Sequence, residues 1–218
     1  KVTYTSASDV EVAEQLPQLK VQLEEGTENW DVKLAVQGQE IPMKSTRTIS
    51  KQNGEWVITE SVSGPMGEII SSGRYSEELQ PVSRSYQQGP AKVEAAYQNG
   101  QISVEMGGQK TELTYSGAFL CDGPGQDVIV RGLPLNDGYE LVANVIDLNG
   151  MKLELHRLKV EGTETSDEGR FLKVTICSVE NPAQKTTLWL DPDTRMTRKS
   201  EQVLPALGGA VLTRTLVQ

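Results

Sequence analysis

The chain has 218 residues, enough to bury a sizeable core, and 23% of them are charged, as in ordinary globular domains. Its formal net charge is −9 and it has no basic stripe to neutralise phosphates, so nucleic-acid binding is not expected. Aromatic residues make up only 5%, which gives little support for a sugar-binding face or for base stacking.

The beginning of the chain predicts one short N-terminal helix, over residues 8–16. Ser8 and Glu11 have the spacing of a capping box, and Pro17 interrupts the apolar helix face that follows. The chain opens at Lys1 without the charged and apolar regions of a signal peptide, so we expect a mature, exported protein whose signal segment has been removed. No run reaches the roughly 20 apolar residues of a membrane helix, so no membrane span is expected.

From Trp30 onward, polar and apolar residues alternate with a period of two, which is typical of half-buried β-strands. The Asn-Gly pairs at 53–54 and 99–100 are hairpin signals. Short strands separated by such turns predict an all-β, mainly antiparallel fold whose sheet curls into a half-barrel or barrel. Residues 117–127, GAFLCDGPGQD, break the series and predict a loop crossing or a short helical turn.

The two halves of the chain, before and after that break, echo each other. WDVKLAV at 30–36 resembles YELVANV at 139–145. We therefore predict a single β domain over 1–218 that consists of two similar halves, approximately 28–116 and 137–218. Shared β periodicity could produce part of this echo.

The residues able to do chemistry predict neither a metal site nor an active site. Asp191-Pro192-Asp193 has type I turn chemistry and lacks the ligand set of a calcium loop, so it predicts a hairpin corner. His156 lies in an alternating strand, and the chain has no nucleophile-elbow motif. Cys121 and Cys177 show no metal-ligand spacing and fit either buried thiols or a disulfide. We expect no enzymatic activity and no cofactor.

A series of short motifs in the second half resembles a known family. Within residues 130–218 these are LPLNDGYEL, LKVEGTE, GRFLKVTICSVE and LWLDPDTRMTRKSEQV. Their order resembles an uncharacterised family of exported bacterial domains of unknown function, which is itself similar in outline to the lipoprotein-localisation factors. The resemblance implies a curved antiparallel sheet wrapped around a helix and a place in the periplasm or outer cell envelope. It implies no established activity.

The inner face of the curled sheet is the candidate functional site. It has to be filled by side chains, by a helix or by a ligand, and the one predicted helix is short. We therefore expect a non-catalytic protein that binds or carries a hydrophobic ligand such as a lipid or an acyl chain, with an ordinary packed core as the competing interpretation. The large side chains expected there are Trp30, Trp56, Tyr75, Phe171 and Trp189.

The alternative function is a structural or protein-interaction domain of a larger envelope assembly, with no small-molecule ligand. Its physical basis is that a free sheet edge can add a strand from a protein partner.

Overall fold

A computed structural model describes residues 10–65, 67–148 and 150–217 as two runs of strands separated by one helix. The first run is β1 Gly26–Val36, β2 Gln39–Gln52, β3 Glu55–Gly64, β4 Gly67–Tyr75, β5 Pro81–Gln88, β6 Ala91–Gln98, β7 Gln101–Met106 and β8 Gln109–Thr114. Helix α1, Gln126–Gly132, follows. The second run is β9 Glu140–Asp147, β10 Lys152–Ser166, β11 Gly169–Ser178, β12 Lys185–Leu190, β13 Thr197–Leu204 and β14 Ala210–Leu216, with a 3-10 turn at Pro205–Leu207.

The fourteen strands form one antiparallel sheet made of two meanders. Strands β1 to β8 pair in chain order, and strands β9 to β14 do the same. The meanders join where β1 pairs with β14, with Trp30 opposite Leu216. Both predicted halves therefore contribute strands to the same sheet, and their first and last strands form the seam between them.

Tight turns connect the strands, and two predicted hairpins are confirmed. Asn53 and Asn99 have φ angles of 54° and 50°, and the glycine after each also has a positive φ, which is the conformation of type I′ turns. The hairpin corner between β12 and β13 is confirmed as well. There the Asp191 carboxylate accepts hydrogen bonds from the N–H groups of Asp193 and Thr194.

The sheet is curled but not closed into a barrel, which confirms the all-β antiparallel prediction in its half-barrel form. Its two edges are β8 and β9. The β9 edge is covered by the segment that leads into α1: the N–H of Leu120 donates to the C=O of Asn144, and the N–H of Asn144 donates to the C=O of Ala118, both at 2.8 Å.

The hydrophobic core lies on the concave face, where every second residue of most strands is buried. In β1, for example, Trp30, Val32 and Leu34 are each at most 5% exposed, while Asp31 and Lys33 between them are exposed. The same alternation buries side chains of the other strands in one core cluster that also contains residues of α1: Ile58, Ile102, Val104, Leu158, Val160, Val174, Ile176, Leu188 and Leu190. The candidate functional site described next lies on this concave face.

The predicted N-terminal helix is wrong for the described part of its range; residues 8 and 9 lie outside the described residues. Residues 10–16 form no helix. Pro17 disfavours helical dihedrals at the residue before it, and the backbone finds partners at the sheet edge instead. The N–H of Ala13 donates to the C=O of Val142 at 3.1 Å, and its C=O accepts from the N–H of Ala118 at 2.6 Å.

The helix that the structure describes is α1, which begins in the last two residues of the segment predicted as a loop crossing or short helical turn and continues to Gly132. Val128, Ile129 and Val130 are each at most 2% exposed and belong to the core. The N-terminal segment passes beside the helix, where the N–H of Lys20 donates to the C=O of Gly132 at 2.8 Å. No helix in the described ranges is long and apolar enough to cross a membrane.

Candidate functional site

A partly open cavity of about 860 Å³ lies on the concave face, beyond the N-terminal end of α1. Gln126 and Asp127 of the helix line it, whereas Val128, Ile129 and Val130 lie in the core. Both meanders supply apolar walls: Val32, Val62, Ile69 and Val93 from the first, and Val145, Ile176, Leu188 and Leu212 from the second. The seven-residue helix thus fills one part of the concave face and leaves another part open.

The rim of the cavity includes an apolar segment between β13 and β14. Residues 204–207, Leu-Pro-Ala-Leu, line the cavity, and Leu207 is 52% exposed. Leu207 is therefore an exposed aliphatic side chain beside the cavity.

One of the five aromatic residues expected at the site, Trp30, lines the cavity, at 1% exposure. Trp56 and Tyr75 also lie on the concave face, but they pair with each other at the far end of β3 and β4 from Val62 and Ile69. The hydroxyl of Tyr75, 2% exposed, donates to the backbone C=O of Pro124. Trp56 and Tyr75 therefore pack in the core near the start of the helix and do not line the cavity.

Phe171 and Trp189 lie on the convex face, which corrects the expected inner-face position. They alternate with Leu172 and with Leu188 and Leu190, which occupy the core face of β11 and β12. Lys173 and Lys199 cover the Trp189 ring, with Nζ atoms 5.5 Å and 4.8 Å from its centroid. Lysine stems shield a half-exposed ring in this way, and the ammonium groups favour its π-face.

The inner end of the cavity carries a buried group of charges that the sequence did not predict, here called the ionic cluster. It contains three arginines and three carboxylates and is therefore formally neutral. The three arginines are Arg47, Arg131 and Arg214, and the three carboxylates are Glu28, Glu60 and Asp127.

Arg47 is the centre of the ionic cluster, with a side chain only 1% exposed. Its Nε lies 3.3 Å from Glu28 Oε2, and its Nη1 donates to Asp127 Oδ1 at 2.8 Å. Burial by itself lowers the pKa of Arg47, but the carboxylates around it, Asp127 first among them, outweigh burial and raise that pKa above its usual value. Burial likewise raises the pKa of Asp127, yet Arg47 and Arg131 outweigh it and hold that pKa well below its usual range.

Trp30 connects this cluster to the seam between the meanders. The guanidinium carbons of Arg47 and Arg214 lie 5.0 Å and 4.8 Å from its ring centroid. Arg214 forms an ion pair with Glu60, which also accepts a hydrogen bond from Ser45 Oγ at 2.6 Å. These two cation–π contacts and the burial of the ring favour a single orientation of the Trp30 indole at the inner end of the cavity.

A second polar group lines the cavity wall on β10. Glu154 accepts hydrogen bonds from Gln184 Nε2 at 3.3 Å, lies 3.2 Å from His156 Nε2, and pairs with Lys152 at 2.8 Å. Burial opposes the charged form of Glu154, but Lys152 and His156 outweigh it and lower the pKa of Glu154. His156 is thus a partly buried strand histidine held by a carboxylate.

A third buried pair, Arg84 with Asp122, also borders the cavity. Burial raises the pKa of Asp122, and Arg84 opposes that shift.

The two cysteines are unpaired thiols. Cys121, next to Asp122, lies 3.4 Å from the Tyr75 hydroxyl, and burial raises the pKa of its thiol to about 12. Cys121 and Cys177 are both free thiols. No group of His, Cys, Asp and Glu side chains in the described ranges is arranged to hold a metal ion.

One signal in the sequence could have indicated the ionic cluster. Glu28 shares the apolar face of β1 with Trp30, Arg47 shares that of β2 with Ile49, and Glu60 shares that of β3 with Ile58. A charge at a core position of a strand has to find a partner.

Comparisons with known proteins gave weak structural likenesses. No family model and no curated protein matches the chain. A DUF1329 family protein from Desulfovibrio piger matches with a TM-score of 0.31 and 9% identity, over 88% of this chain and 83% of that one. A LolA superfamily protein from Nitrosomonas europaea matches with a TM-score of 0.30 and 11% identity, over 94% and 87%. Likeness at this level says nothing of function, which has to follow from the geometry of this chain.

Proposed function

We propose that this protein binds or carries, without catalysis, a hydrophobic small molecule such as a lipid or an acyl chain. The observation that carries the proposal is the cavity of about 860 Å³ with apolar walls from both meanders. Its volume is within the range of about 300–1,000 Å³ that small-molecule sites occupy. The short helix α1 does not fill it, so the concave face has room for an apolar guest.

Hydrophobic contact, and not charge, carries the affinity in this proposal. The ionic cluster at the inner end contains equal numbers of arginines and carboxylates, so it gives little net attraction to a charged ligand. An acyl chain against Val62, Ile69 and Leu212 gains roughly 0.8 kcal/mol for each buried methylene. The apolar segment at residues 204–207, which lines the same cavity, offers further aliphatic contacts to such a chain.

Two further parts of the proposal have separate support. For a non-catalytic role, the support is that four titratable groups of the cavity are paired with each other: Arg47 with Asp127, and His156 with Glu154. Export of the protein to the periplasm or outer cell envelope is supported by the motifs in the second half of its sequence, which resemble those of a family of exported bacterial domains.

The first test is native mass spectrometry of the freshly purified protein, followed by solvent extraction and identification of small molecules. We expect an added mass that is released by organic solvent and identified as an acyl compound or a lipid. An apo mass that persists after incubation with envelope lipids contradicts the proposal and favours the protein-interaction domain.

A pair of neighbouring isoleucines provides a matched mutational test. Ile69→Trp fills the cavity, and we expect it to weaken binding of a fluorescent fatty acid about tenfold or more, which corresponds to about 1.4 kcal/mol. Ile70→Trp is the control, because Ile70 is 39% exposed on the opposite face of β4. Val62→Trp, at the position that pairs with Ile69, repeats the test should the first variant be unstable. Equal binding by all three variants and the wild type would rule out this cavity.

A further inference from the structure

We propose that the free edge strand β8 pairs with β8 of a second copy of this chain, antiparallel and centred on Thr111. This inference is independent of the proposed ligand. It follows from the difference between the two sheet edges and from the charges on β8.

The two edge strands of the sheet differ in whether another segment of the chain forms backbone hydrogen bonds with them. Along β9, the backbone of Asn144 bonds to Ala118 and Leu120, and the C=O of Val142 accepts from Ala13. Along β8, none of the described residues supplies a backbone partner on the side away from β7. An uncovered strand of this kind presents a row of donors and acceptors to another strand.

The turn before β8 determines which residues present those groups. Met106 pairs with Gln109 across the two-glycine turn at 107–108, whose φ angles are both positive. In a two-residue hairpin this flanking pair is hydrogen-bonded, so every second residue of β8 from Gln109 bonds to β7. The residues whose backbone groups point to the free side are therefore Lys110, Glu112 and Thr114.

Charge favours one register for two such strands, the one that forms attractive pairs. Hydrogen bonding between the copies requires the outward-pointing residues to face each other. A pair centred on Lys110 or on Glu112 sets like charges opposite each other, which is unfavourable. A pair centred on Thr111 sets Lys110 opposite Glu112 of the second copy, twice. Both side chains are available, at 64% and 58% exposure.

Charged residues on an edge strand commonly prevent association. Whether the charges on β8 repel or attract a second copy depends on their order along the strand. Lysines alone would repel the same edge of a second copy. Here Lys110 and Glu112 alternate on one face, 2.8 Å apart within the strand, so the strand is complementary to itself. Thr111 and Leu113, both half-buried, continue the inner face across the junction.

Sedimentation velocity of the full chain over a range of concentrations measures this self-association. Lys110→Glu and Glu112→Lys each turn both attractive pairs into repulsive ones, so each should weaken dimerisation about tenfold, or about 1.4 kcal/mol. The double variant K110E/E112K restores both pairs and the dimer. Lys92→Glu is the matched control, because Lys92 and Glu94 form the same two-residue-spaced ion pair, at 2.9 Å, on the interior strand β6.

A cysteine at the centre of the pair tests the register. Opposite residues of a non-hydrogen-bonded pair have Cα atoms about 4.5 Å apart, within the range of a disulfide. Thr111→Cys should therefore form a disulfide-linked dimer under mild oxidation, whereas Lys110→Cys should not, and both carry Cys177→Ser to remove the half-buried native thiol. Monomers at every concentration, or dimers without the Thr111→Cys cross-link, overturn the proposal. Fatty-acid binding to the same samples shows independently whether the cavity functions.

Discussion

At the scale of single residues, the ionic cluster predicts how much stability depends on Asp127. Asp127 accepts from Arg47 at 2.8 Å and from Arg131 at 2.9 Å. Asp127→Asn leaves two buried guanidinium groups without this carboxylate, so we expect the free energy of unfolding in urea to fall by about 3–5 kcal/mol. Asp31→Asn is the control, because its ion pair with Lys44 is exposed and is worth at most about 1 kcal/mol.

The loss of stability caused by Asp127→Asn should depend on pH. The arginines hold the pKa of Asp127 below its usual value, so its stabilising effect is complete above the unfolded pKa, about 3.9, and is lost as the pH falls toward the folded pKa. The difference in unfolding free energy between wild type and Asp127→Asn should therefore narrow below about pH 4. A difference that stays constant from neutral to acidic pH would contradict the role of its charge.

At the scale of elements, the sequence predicts strands better than helices. Strict alternation from Trp30 gives the strands, because a period of two shows directly which face is buried. The helix prediction at residues 8–16 is wrong because a capping signal is local, whereas Pro17 and the backbone bonds to the β9 edge determine the conformation there. The charges of the cluster were visible on apolar faces, but only the fold brings β1, β2, β3, α1 and β14 together. The size of Phe171 and Trp189 suggests an inner-face position, but their alternation with Leu172 and Leu188 places them on the convex face.

The contact between α1 and the N-terminal segment can be tested at Gly132. A Cβ atom there would lie 3.0 Å from Leu19 Cβ and 3.2 Å from Val21 Cγ1, closer than ordinary contacts. Gly132→Ala should push the segment away and lengthen the bond from the Lys20 amide, so that this amide exchanges hydrogen faster. Gly26→Ala, where a Cβ meets nothing within 4 Å, should leave exchange at Lys20 unchanged.

At the scale of the whole molecule, the seam between the meanders determines whether the two predicted halves can unfold separately. β14 pairs with β1 over Trp30 to Ala35, and the Arg214–Glu60 ion pair joins the last strand to β3. The cavity also takes its walls from both meanders. A domain that shares a sheet, a charge cluster and a cavity in this way should unfold as one unit.

Native-state hydrogen exchange tests that cooperativity. The slowest amides of β7, around Ile102 and Val104, and those of β11, around Val174, lie in fully buried parts of opposite meanders. We expect both sets to exchange with the same opening free energy, equal to that of global unfolding, because opening either meander exposes the inner face of the other. Two different opening free energies for the two sets of amides would mean that the seam is weaker than the meanders and that each half folds as its own domain.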